Sequence, residues 1–539
     1  MLAIMCALAA LTAGIVAQPA SAENLVANPG FEQVAGDRPQ GWTYNAEVAS
    51  LVAEGAHEGD RCLKVRTDLP INVRYEMPYT LITLDEPVPV QADRVYWLSM
   101  WTRCPRYGQG YPALAYVYWL REDGEPAGIE KADVGSARRP HEWQMTRAAV
   151  VAPRDAVRAR VRLVVWATYT DVFIDDVSLE PAEMPEPRPE PPLADKYRIM
   201  FFPEKPETAE GVQQVRDHGF NTGSFLFYKC YDETGREHIQ HNLTLAEQAK
   251  LPALVAVWLS RVSPPEFRDQ HPMIAPGGEA YKTTPCIFSQ EWWEEWFRPT
   301  CLEFVRRSAE DRIIGLWVDF ELYDEPPRVG DVCYCDRCMK QYEDARGLKI
   351  EGEDTPARVK WLLEHGRIGD YRDLATERLR GLAAELRAQT DAINPDFVYG
   401  DFPYYGFLAD RAFAQGLGTQ QAPFLIGPEY TYRLQSEHYS DSTAVQLAVN
   451  HCEEMQRSIE QDGLHARLVA GICPQTTAQF MADKTVAVCG QSDGYWLWTK
   501  RIIDAQRAAF GRQPLSDEEA AAAWEALRGA NAALAGPTR

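Results

Sequence analysis

From Lys196 onward, the sequence alternates between short apolar runs and longer stretches of helical periodicity, and this alternation limits the possible folds more than any other feature. The apolar runs are, in chain order, YRIMFF (starting at Tyr197), FNTGSFLF, PALVAVWL, IIGLWVDFE, DFVYGDF, PFLIGPEY, RLVAGI and GYWLWT. Helical patterns separate them, for example at residues 207–218, 291–309, 357–394 and 443–463. Eight β-α units in succession predict a (β/α)8 TIM barrel, with a doubly wound parallel sheet as the main alternative.

Residues 23–180 follow a different pattern, in which short alternating runs recur without any long helical period. The clearest runs cover residues 114–120, 159–166 and 172–179. This spacing predicts an all-β domain, folded as a sandwich. Residues 181–195, PAEMPEPRPEPPLAD, alternate proline with charge and predict a stiff polyproline II linker. The barrel would then occupy residues 196–539 and end in an alanine-rich helix.

The first 22 residues have the features of a secretory signal peptide. An apolar stretch from Ala3 to Val16 precedes the sequence Ala20-Ser21-Ala22, which matches an A-x-A cleavage site. The stretch is too short to span a bilayer. The sequence therefore predicts a secreted or periplasmic protein that is not inserted in a membrane. In such a compartment Cys62 and Cys104 could form a disulfide.

The charge balance narrows the class of partner. With 78 acidic and 55 basic residues the net charge is -23, which argues against nucleic acid or an anionic membrane as the partner. The chain also has 15 Trp and 24 Tyr. Aromatic faces stack on the apolar faces of pyranose rings, so this composition favours a carbohydrate partner.

Barrels keep their catalytic groups at the carboxyl ends of the strands. The polar residues at the predicted strand ends are Glu204, Lys229, Arg261, Asp319, Glu321, Asp401, Glu429, Gln475 and Asp493. The aromatic residues among them are Tyr228, Trp258, Tyr323, Phe402, Tyr404, Tyr430, Trp496 and Trp498. Acids surrounded by aromatic rings suit glycoside hydrolysis, which needs one carboxylic acid to protonate the leaving oxygen and a second carboxylate as nucleophile or base.

These strand-end residues divide into two predicted roles. The catalytic candidates are Glu321, Glu429, Asp401 and Asp319, with Glu321 as the general acid. The substrate-binding candidates are Trp258, Tyr323, Tyr404, Tyr430, Trp496, Trp498, Arg261 and Lys229. Nearby apolar rings would raise the pKa of the acid towards neutrality, as a proton donor requires.

A C-x-C-x-x-C motif follows the fourth predicted strand, at Cys333, Cys335 and Cys338. The motif supplies three soft ligands, whereas tetrahedral zinc takes four. Cys286, in the long segment after the third strand, would lie on the same face of the barrel and could complete a structural zinc site. The alternative is a pair of disulfides, as an exported protein permits.

The barrel resembles the family 42 β-galactosidases on these residues. Glu321, in FELYDEP, matches the position of the family's acid/base, CYCDRC with Cys286 matches its zinc ligands, and DGYWLW on the last strand is also similar. The resemblance implies a glycosidase with structural zinc and no organic cofactor. The family also places a nucleophilic glutamate at the end of the seventh strand, where this chain has GICPQTT. Either Glu429 or Asp401 then takes the second role, or the barrel has lost hydrolysis.

Two alternatives follow from this missing carboxylate. VDFE, at Val318 to Glu321, resembles the D-x-E signature of family 18 chitinases. In those enzymes the glutamate is the acid and the aspartate assists an acetamido group of the substrate, so no enzyme nucleophile is needed. The other alternative is a non-catalytic glycan-binding protein on a decayed barrel.

The N-terminal domain resembles the jelly-roll carbohydrate-binding modules of families 4 and 22. The matching segments are NLVANPGFE, PQGW, YWLSMWTR and FIDDVSLEP. In such modules the first and last strands often share a structural calcium ion. The resemblance implies Glu32 and Asp175 as ligands, since calcium prefers hard oxygen donors.

Overall fold

A computed structural model describes most of the chain. The described residues are 23–53, 55–66, 79–105, 113–135, 141–166, 171–184, 196–202, 207–319, 332–404, 406, 408–429, 431, 439–474, 477–504 and 514–535. The predicted signal peptide and most of the predicted linker lie outside them. Among the helices of the described part, none has the length and apolar character that crossing a bilayer requires.

The N-terminal region is a sandwich of two antiparallel sheets, as the sequence predicts. The six-stranded sheet consists, in spatial order, of Pro126–Gly135, Ala113–Leu120, Arg158–Trp166, Tyr79–Leu84 and Trp42–Tyr44, with Val88–Pro89 paired beside Arg158–Trp166. The five-stranded sheet consists of His141–Val151, Val95–Cys104, Asp171–Ala182, Cys62–Arg66 and Ala49–Val52. A small hairpin joins Val34–Ala35 to Arg38–Pro39.

Strict alternation explains why these strands form a sandwich. Along Val95–Cys104 every second residue is buried, so Leu98 and Met100 enter the core while Trp97 and Trp101 remain on the outer face. This period of two gives each sheet one apolar face, and the two apolar faces pack together. Cys62 and Cys104 are both buried in this region, and the disulfide between them that the sequence allowed is not formed.

The second region is a parallel barrel whose strands follow the eight apolar runs in order. We call them β1 to β8: Tyr197–Phe202, Thr222–Phe227, Ala253–Trp258, Ile313–Asp319, Val398–Phe402, Phe424–Ile426, Ala466–Leu468 continuing as Ala470–Ile472, and Gly494–Leu497. Each strand pairs in parallel with its sequence neighbours, and β1 pairs with β8. The predicted TIM barrel is therefore confirmed over the doubly wound alternative.

Strand β7 closes the barrel in two segments. The first segment, Ala466–Leu468, pairs with β6, and the second, Ala470–Ile472, pairs with β8. Val469 lies between them, and its amide donates to the Ile426 carbonyl over 2.8 Å. The switch of partner at Val469 lets one strand bridge both neighbours, so the ring of strands has no open edge.

Helices surround the barrel and connect its strands. We call them α1 to α13: Ala209–Asp217, Glu233–Gln248, Pro265–Gln270, Gln290–Trp292, Arg298–Arg307, Asp336–Arg346, Thr355–Glu364, Ile368–Asp391, Leu408–Leu417, Asp441–Gln461, Ala478–Cys489, Lys500–Ile503 and Asp517–Leu534. A π-helical turn, Trp293–Phe297, connects α4 to α5, and a 3-10 turn, Leu259–Arg261, follows β3. The single helix predicted at residues 357–394 is two helices, because Gly366 takes a positive φ of 63° between α7 and α8.

The sandwich contacts the barrel through its five-stranded sheet. Val151 packs with Tyr439, Leu447 and Phe480 in one buried apolar cluster. The Arg154 guanidinium donates to the Tyr439 carbonyl over 2.7 Å. Tyr439 and Phe480 belong to the segments in which α10 and α11 begin. Helices of a barrel begin at the carboxyl ends of its strands, so the sandwich contacts the rim where a barrel carries its site.

Candidate active site and metal centre

Three large rings fill the interior of the barrel and form a floor. Trp317 on β4 lies 4.9 Å from the Phe402 ring and 5.9 Å from the Trp496 ring, centroid to centroid. All three are buried. Gly427 makes room for the Trp317 indole, since a Cβ there would lie 2.5 Å from the ring. A packed interior closes the lower part of the barrel and leaves any binding site at its upper face.

Above this floor, partly exposed aromatic rings line the carboxyl ends of the strands. Trp498 packs on Phe201, with ring centroids 4.7 Å apart, and Tyr228 meets Trp258 edge to face at 4.8 Å. The Arg261 guanidinium lies 5.6 Å from the centre of the Tyr228 ring. The structure thus brings the sequence-predicted Trp258, Trp498 and Arg261 to one face, together with Tyr228.

Asp319 is the acid that the fold places most clearly. It is the last residue of β4 and alternates with Trp317, so its side chain points into the barrel, above the floor. It is 1% exposed. Glu429 lies just beyond the carboxyl end of β6 and is 2% exposed. Two buried carboxyl groups therefore belong to the upper end of the barrel.

Asp401 differs from these two acids, because it faces the helix layer outside the barrel. Its neighbour Phe402 belongs to the interior cluster, so alternation turns Asp401 outward. In the parallel register it lies beside Val318 and Ile426, which both belong to the outer core. The orientation separates Asp401 from the groups inside the barrel. Of the two candidates for the second carboxylate, the geometry favours Glu429.

The environment of Asp401 is apolar and acidic. Burial raises the pKa of its carboxyl well above the usual range, and the nearby Asp410 and Asp319 raise it further. Within the described residues, neither oxygen of Asp401 has a hydrogen-bond partner. This environment favours the neutral form of Asp401, which lies between β5 and the helices.

Three further predicted positions differ from the expectation, and a fourth, Lys229, agrees with it. Asp493 precedes β8 and accepts a hydrogen bond from the Leu468 amide, so it lies at the amino end of the barrel, opposite the site. Trp496 is part of the buried floor, and Tyr404 is buried in the outer core, so neither offers a ring face to a ligand. Lys229 lies near the mouth, 3.6 Å from the Asp232 carboxylate. The predicted Glu204, Glu321, Tyr323, Tyr430 and Gln475 lie outside the described residues.

The predicted thiol cluster is formed. The sulfur atoms of Cys286, Cys333, Cys335 and Cys338 lie within 4.8 Å of one another. The Sγ of Cys286 is 3.6 Å from that of Cys338 and 3.9 Å from that of Cys335. Zinc–sulfur bonds of about 2.3 Å at tetrahedral angles place the sulfurs about 3.8 Å apart. All four residues are free thiols rather than disulfides, and the cluster can hold a metal ion.

The surroundings of the cluster favour the thiolate form at Cys335, whereas the pKa values of Cys286 and Cys338 are raised. The amides of Ile274 and Cys335 donate to the Cys333 sulfur over 3.3 and 3.4 Å. Hydrogen bonds from Cys286, Cys333 and Cys338 lower the pKa of the Cys335 thiol well below its ordinary value. A thiolate is the form that binds metal. Four soft donors, with at least one readily ionised, suit zinc or a similar soft cation.

The cluster joins distant segments. Cys286 follows a hairpin of Pro272–Ile274 and Ala280–Pro285, whereas the other three cysteines follow β4. The Tyr371 hydroxyl on α8 donates to the Cys333 carbonyl over 2.6 Å. Sequence reasoning missed Tyr371, because nothing local marks a tyrosine in the first turn of a helix as a brace for a site 38 residues away.

In the sandwich, the predicted calcium ligands approach the same glycine. A Cβ on Gly30 would lie 3.4 Å from Asp175 Oδ1 and 3.9 Å from Glu32 Cγ. Asp175 Oδ2 accepts a hydrogen bond from the His57 amide over 2.9 Å. Glu32 Oε1 accepts one from the Asp60 amide over 2.8 Å. Both residues thus lie near Gly30, while calcium itself stays a prediction.

Comparisons with known proteins give structural matches alone. No protein-family model matches the sequence, and no curated protein matches it. The chain is similar to the family 22 carbohydrate-binding and family 10 glycoside hydrolase modules of a Clostridium thermocellum endo-1,4-β-D-xylanase complexed with xylohexaose. The identity is 14%, 94% of this chain and 97% of that chain are covered, and the TM-score is 0.31. It is also similar to an agarase, at 8% identity, with 94% and 98% covered and a TM-score of 0.37.

The N-terminal region also has a match of its own. A xylan-binding family 22 module from Paenibacillus barcinonensis aligns at 17% identity, over 31% of this chain and 99% of that module, with a TM-score of 0.23. By their descriptions, these three structures are of the classes that the sequence resemblance predicted, and none of the three is a family 42 enzyme. At such identities and TM-scores they add no argument about function, so the proposals below depend on the residues of this chain.

Proposed function

We propose that the protein is a secreted glycoside hydrolase that cleaves an oligo- or polysaccharide at the upper face of its barrel. The observation that supports this most is the position of Asp319. It ends β4 and faces the interior above a Trp floor, beneath a mouth lined by Trp258 and Trp498. Glu321, the proposed proton donor, follows two residues later in the sequence.

In this proposal two carboxyl groups divide the chemistry. Glu321 protonates the glycosidic oxygen as the bond to the anomeric carbon breaks, and Glu429 acts as nucleophile or as base towards water. Asp401 has no part in the reaction, since it faces the helix layer. A separation of about 5–5.5 Å between the two carboxyl groups would give retention, and one of about 6.5–9.5 Å would give inversion.

The mouth would bind the sugar through its partly exposed rings. Tyr228, Trp258 and Trp498 present apolar faces on which a pyranose ring can stack, and Arg261 supplies a hydrogen-bond donor beside them. Tyr323 and Tyr430 are further candidates from the sequence.

We further propose that the Cys286, Cys333, Cys335 and Cys338 cluster binds one structural zinc ion. The support is the close spacing of its four sulfurs, which lie within 4.8 Å of one another, two of the pairs at 3.6 and 3.9 Å. Zinc with four thiolate ligands has no open position for substrate, so its role would be structural. It would tie the segment after β3 to the segment after β4, which follows Glu321 in the sequence.

For the chain as a whole, we propose a division into a signal peptide (1–22), a carbohydrate-binding jelly roll (23–180), a linker (181–195) and the catalytic barrel (196–539). The last strand of the sandwich ends at Ala182, close to the proposed boundary. A calcium ion held by Glu32 and Asp175 would stabilise the first of the folded units.

Glu321→Ala tests the function directly. On natural glycosides, removal of a general acid should lower kcat by about 10²–10⁴-fold. On aryl glycosides with good leaving groups the loss should be much smaller, because these depart with little protonation. Release of reducing sugar from a polysaccharide panel and of nitrophenol from aryl glycosides would measure both. Glu237→Ala, an exposed glutamate on α2, is the matched control.

The outcomes separate the alternatives. Equal losses on both kinds of substrate would make Glu321 a nucleophile or a positioning residue. Full retention of activity would remove it from the site. Binding of glycan by the unmodified protein without any turnover would instead support the non-catalytic alternative.

A substrate-assisted reaction is the second candidate. The described residues after β7, Cys473 and Pro474, provide no carboxylate, and Asp319 faces the interior. Asp319 could then orient an acetamido group of the substrate while Glu321 acts as the acid. This reaction requires an N-acetylated sugar. Turnover of N-acetylglucosaminides and none of the corresponding glucosides would support it, and the reverse preference would exclude it.

A further inference from the structure

The outer face of the six-stranded sheet of the sandwich has a row of arginines. Its central strand, Arg158–Trp166, reads RARVRLVVW. Ala159, Val161, Leu163 and Val165 are buried in the sandwich core. Alternation therefore puts Arg158, Arg160 and Arg162 together on the outer face, about 7 Å apart along the strand.

Tyrosines flank these arginines on the neighbouring strand. In the antiparallel register Arg160 lies opposite Tyr118 and Arg162 lies opposite Tyr116. The Arg162 guanidinium carbon is 4.4 Å from the centre of the Tyr118 ring, a cation–π distance. The tyrosine holds this guanidinium over its ring, so the charge is positioned rather than free to follow solvent.

The row has no acidic partner in the described part of the chain. Arg160 and Arg162 form no ion pair there, and the Nε atom of each is buried without a hydrogen-bond partner. Arg158 donates to the Glu122 backbone carbonyl over 2.6 Å rather than to a carboxylate. Three adjacent positive charges repel one another, and they persist in a protein with a net charge of -23. Such a local excess of one sign indicates a binding surface for the opposite sign.

The described part of the barrel does not cover this face, on which the three arginines are half-buried beside a buried cluster of Leu114, Tyr116 and Val164. The sandwich contacts the barrel through Val151 and Arg154, which belong to the five-stranded sheet and to the turn that follows it. The row of arginines is on the opposite sheet. A chain of sugars could therefore lie along this face without displacing the barrel.

We propose that this face binds an anionic polysaccharide through Arg158, Arg160 and Arg162. The guanidinium groups would pair with carboxylate or sulfate groups of the sugars, a bidentate geometry that arginine favours, and Tyr118 would contact the sugar rings. Nucleic acid is disfavoured, because duplex DNA has one charge per about 1.7 Å and would be repelled by the strongly acidic remainder of the protein. A polysaccharide with one acid per sugar or per disaccharide is far less densely charged.

This proposal goes beyond the barrel chemistry and does not depend on it. It predicts which polymers the sandwich retains, whether or not the barrel hydrolyses them. The inactive Glu321→Gln protein should bind the polysaccharide as the unmodified protein does. Loss of hydrolysis with intact binding, and loss of binding with intact hydrolysis of aryl glycosides, are therefore separate results.

Affinity electrophoresis and calorimetry of the full chain would test it with defined polymers. The probes are polygalacturonate and alginate for carboxylate, dextran sulfate and carrageenan for sulfate, dextran for a neutral polymer, and duplex DNA. We expect binding to at least one acidic polysaccharide, weakened by added salt, and none to dextran. The class that binds identifies the acidic group. Equal binding to dextran, stronger binding to DNA, or no binding to any acidic polysaccharide would overturn the proposal.

Paired variants test the residues. Arg160→Gln combined with Arg162→Gln should weaken binding by about tenfold or more, since each removes a charge-assisted hydrogen bond. Lysine at both positions should restore part of the affinity. Arg147→Gln is the matched control, because Arg147 lies over Trp97 at 4.6 Å on the other sheet. Thermal melting would establish that each variant is folded. A folded double glutamine variant with unchanged affinity would refute the proposal.

Discussion

The interior of the barrel and the layer between its strands and helices contain similar residues in different settings. Asp319 on β4 and Asp401 on β5 are both buried aspartates near the carboxyl ends of adjacent strands. In the register, Val318 pairs with Asp401 and Asp319 pairs with Phe402. This offset of one residue puts Asp319 inside the barrel and Asp401 outside it. A strand-end acid is therefore a catalytic candidate only on the inner side.

The large aromatic rings also divide between the interior and the outer layer, and the outer layer contains a buried lysine. Trp258 and Trp498 line the upper interior, whereas Tyr404 packs in the outer layer. Lys484, on α11, is a buried cation of the outer layer. We infer that residues of the upper interior control turnover and that residues of the outer layer control stability. Four predictions test this division.

The largest effect on turnover should come from replacing the acids of the upper interior by amides, compared with the same replacement in the outer layer. Asp319→Asn or Glu429→Gln should lower kcat by about 10²–10⁴-fold. Asp401→Asn should leave kcat within a few-fold of the unmodified enzyme, because Asp401 faces the helix layer and not the interior of the barrel. Steady-state kinetics on one substrate, with melting temperatures for each variant, would measure this. A large loss of kcat in folded Asp401→Asn would contradict the division between a catalytic interior and a structural outer layer.

The thiol cluster should affect both properties, since it braces the segment after β4. Cys335→Ser should abolish zinc binding. For free zinc at about 1,000 times Kd, that removes about 4 kcal/mol from the free energy of unfolding. Metal analysis and chemical denaturation would measure the two effects. Cys301→Ser, a buried cysteine of α5 outside the cluster, is the control and should keep its zinc. Purified protein without zinc, with the four cysteines in disulfides, would contradict the site.

Lys484 should change stability with pH and leave turnover alone. Burial lowers the pKa of its ammonium to about 7. The unfolded lysine titrates at about 10.4, so between the two values the unfolded state binds more protons and the free energy of unfolding rises with pH. Between pH 6 and pH 9 the rise should be about 2–3 kcal/mol. Lys484→Met should lack this contribution. Denaturation of both proteins at several pH values would measure this difference. The same dependence of the free energy of unfolding on pH in both proteins would contradict the prediction.

The smallest effect should be that of calcium on the sandwich. Calcium at 10–100 times Kd should add about 1.4–2.7 kcal/mol to the stability of residues 23–180 and leave kcat on aryl glycosides unchanged. Calorimetry with calcium or with a chelator would measure the melting of each domain. Asp175→Asn combined with Glu32→Gln should melt identically in both conditions. If the unmodified protein also melted identically with calcium and with chelator, the prediction of a calcium site would be wrong.

Local patterns in the sequence were enough to predict the order of the structural elements. The eight barrel strands follow the eight apolar runs, because each run is long enough for one strand and is flanked by helical periodicity. Three of the four cysteines were evident as a motif, since metal ligands close in sequence have a characteristic spacing. The alternation along the sandwich strands also indicated which residues are inside.

The side of the barrel on which an acid lies was decided by the tertiary structure. Strands of a parallel barrel are buried on both faces, so IIGLWVD and VYGDF read as nearly continuous apolar runs without the alternation that marks an inner face. The sequence therefore did not distinguish Asp319 from Asp401. Asp493 was misplaced for a related reason, since an acid beside an apolar run does not show at which end of the strand it lies. Pairing of β8 with β1 decides that, and it is a contact between opposite ends of the barrel sequence.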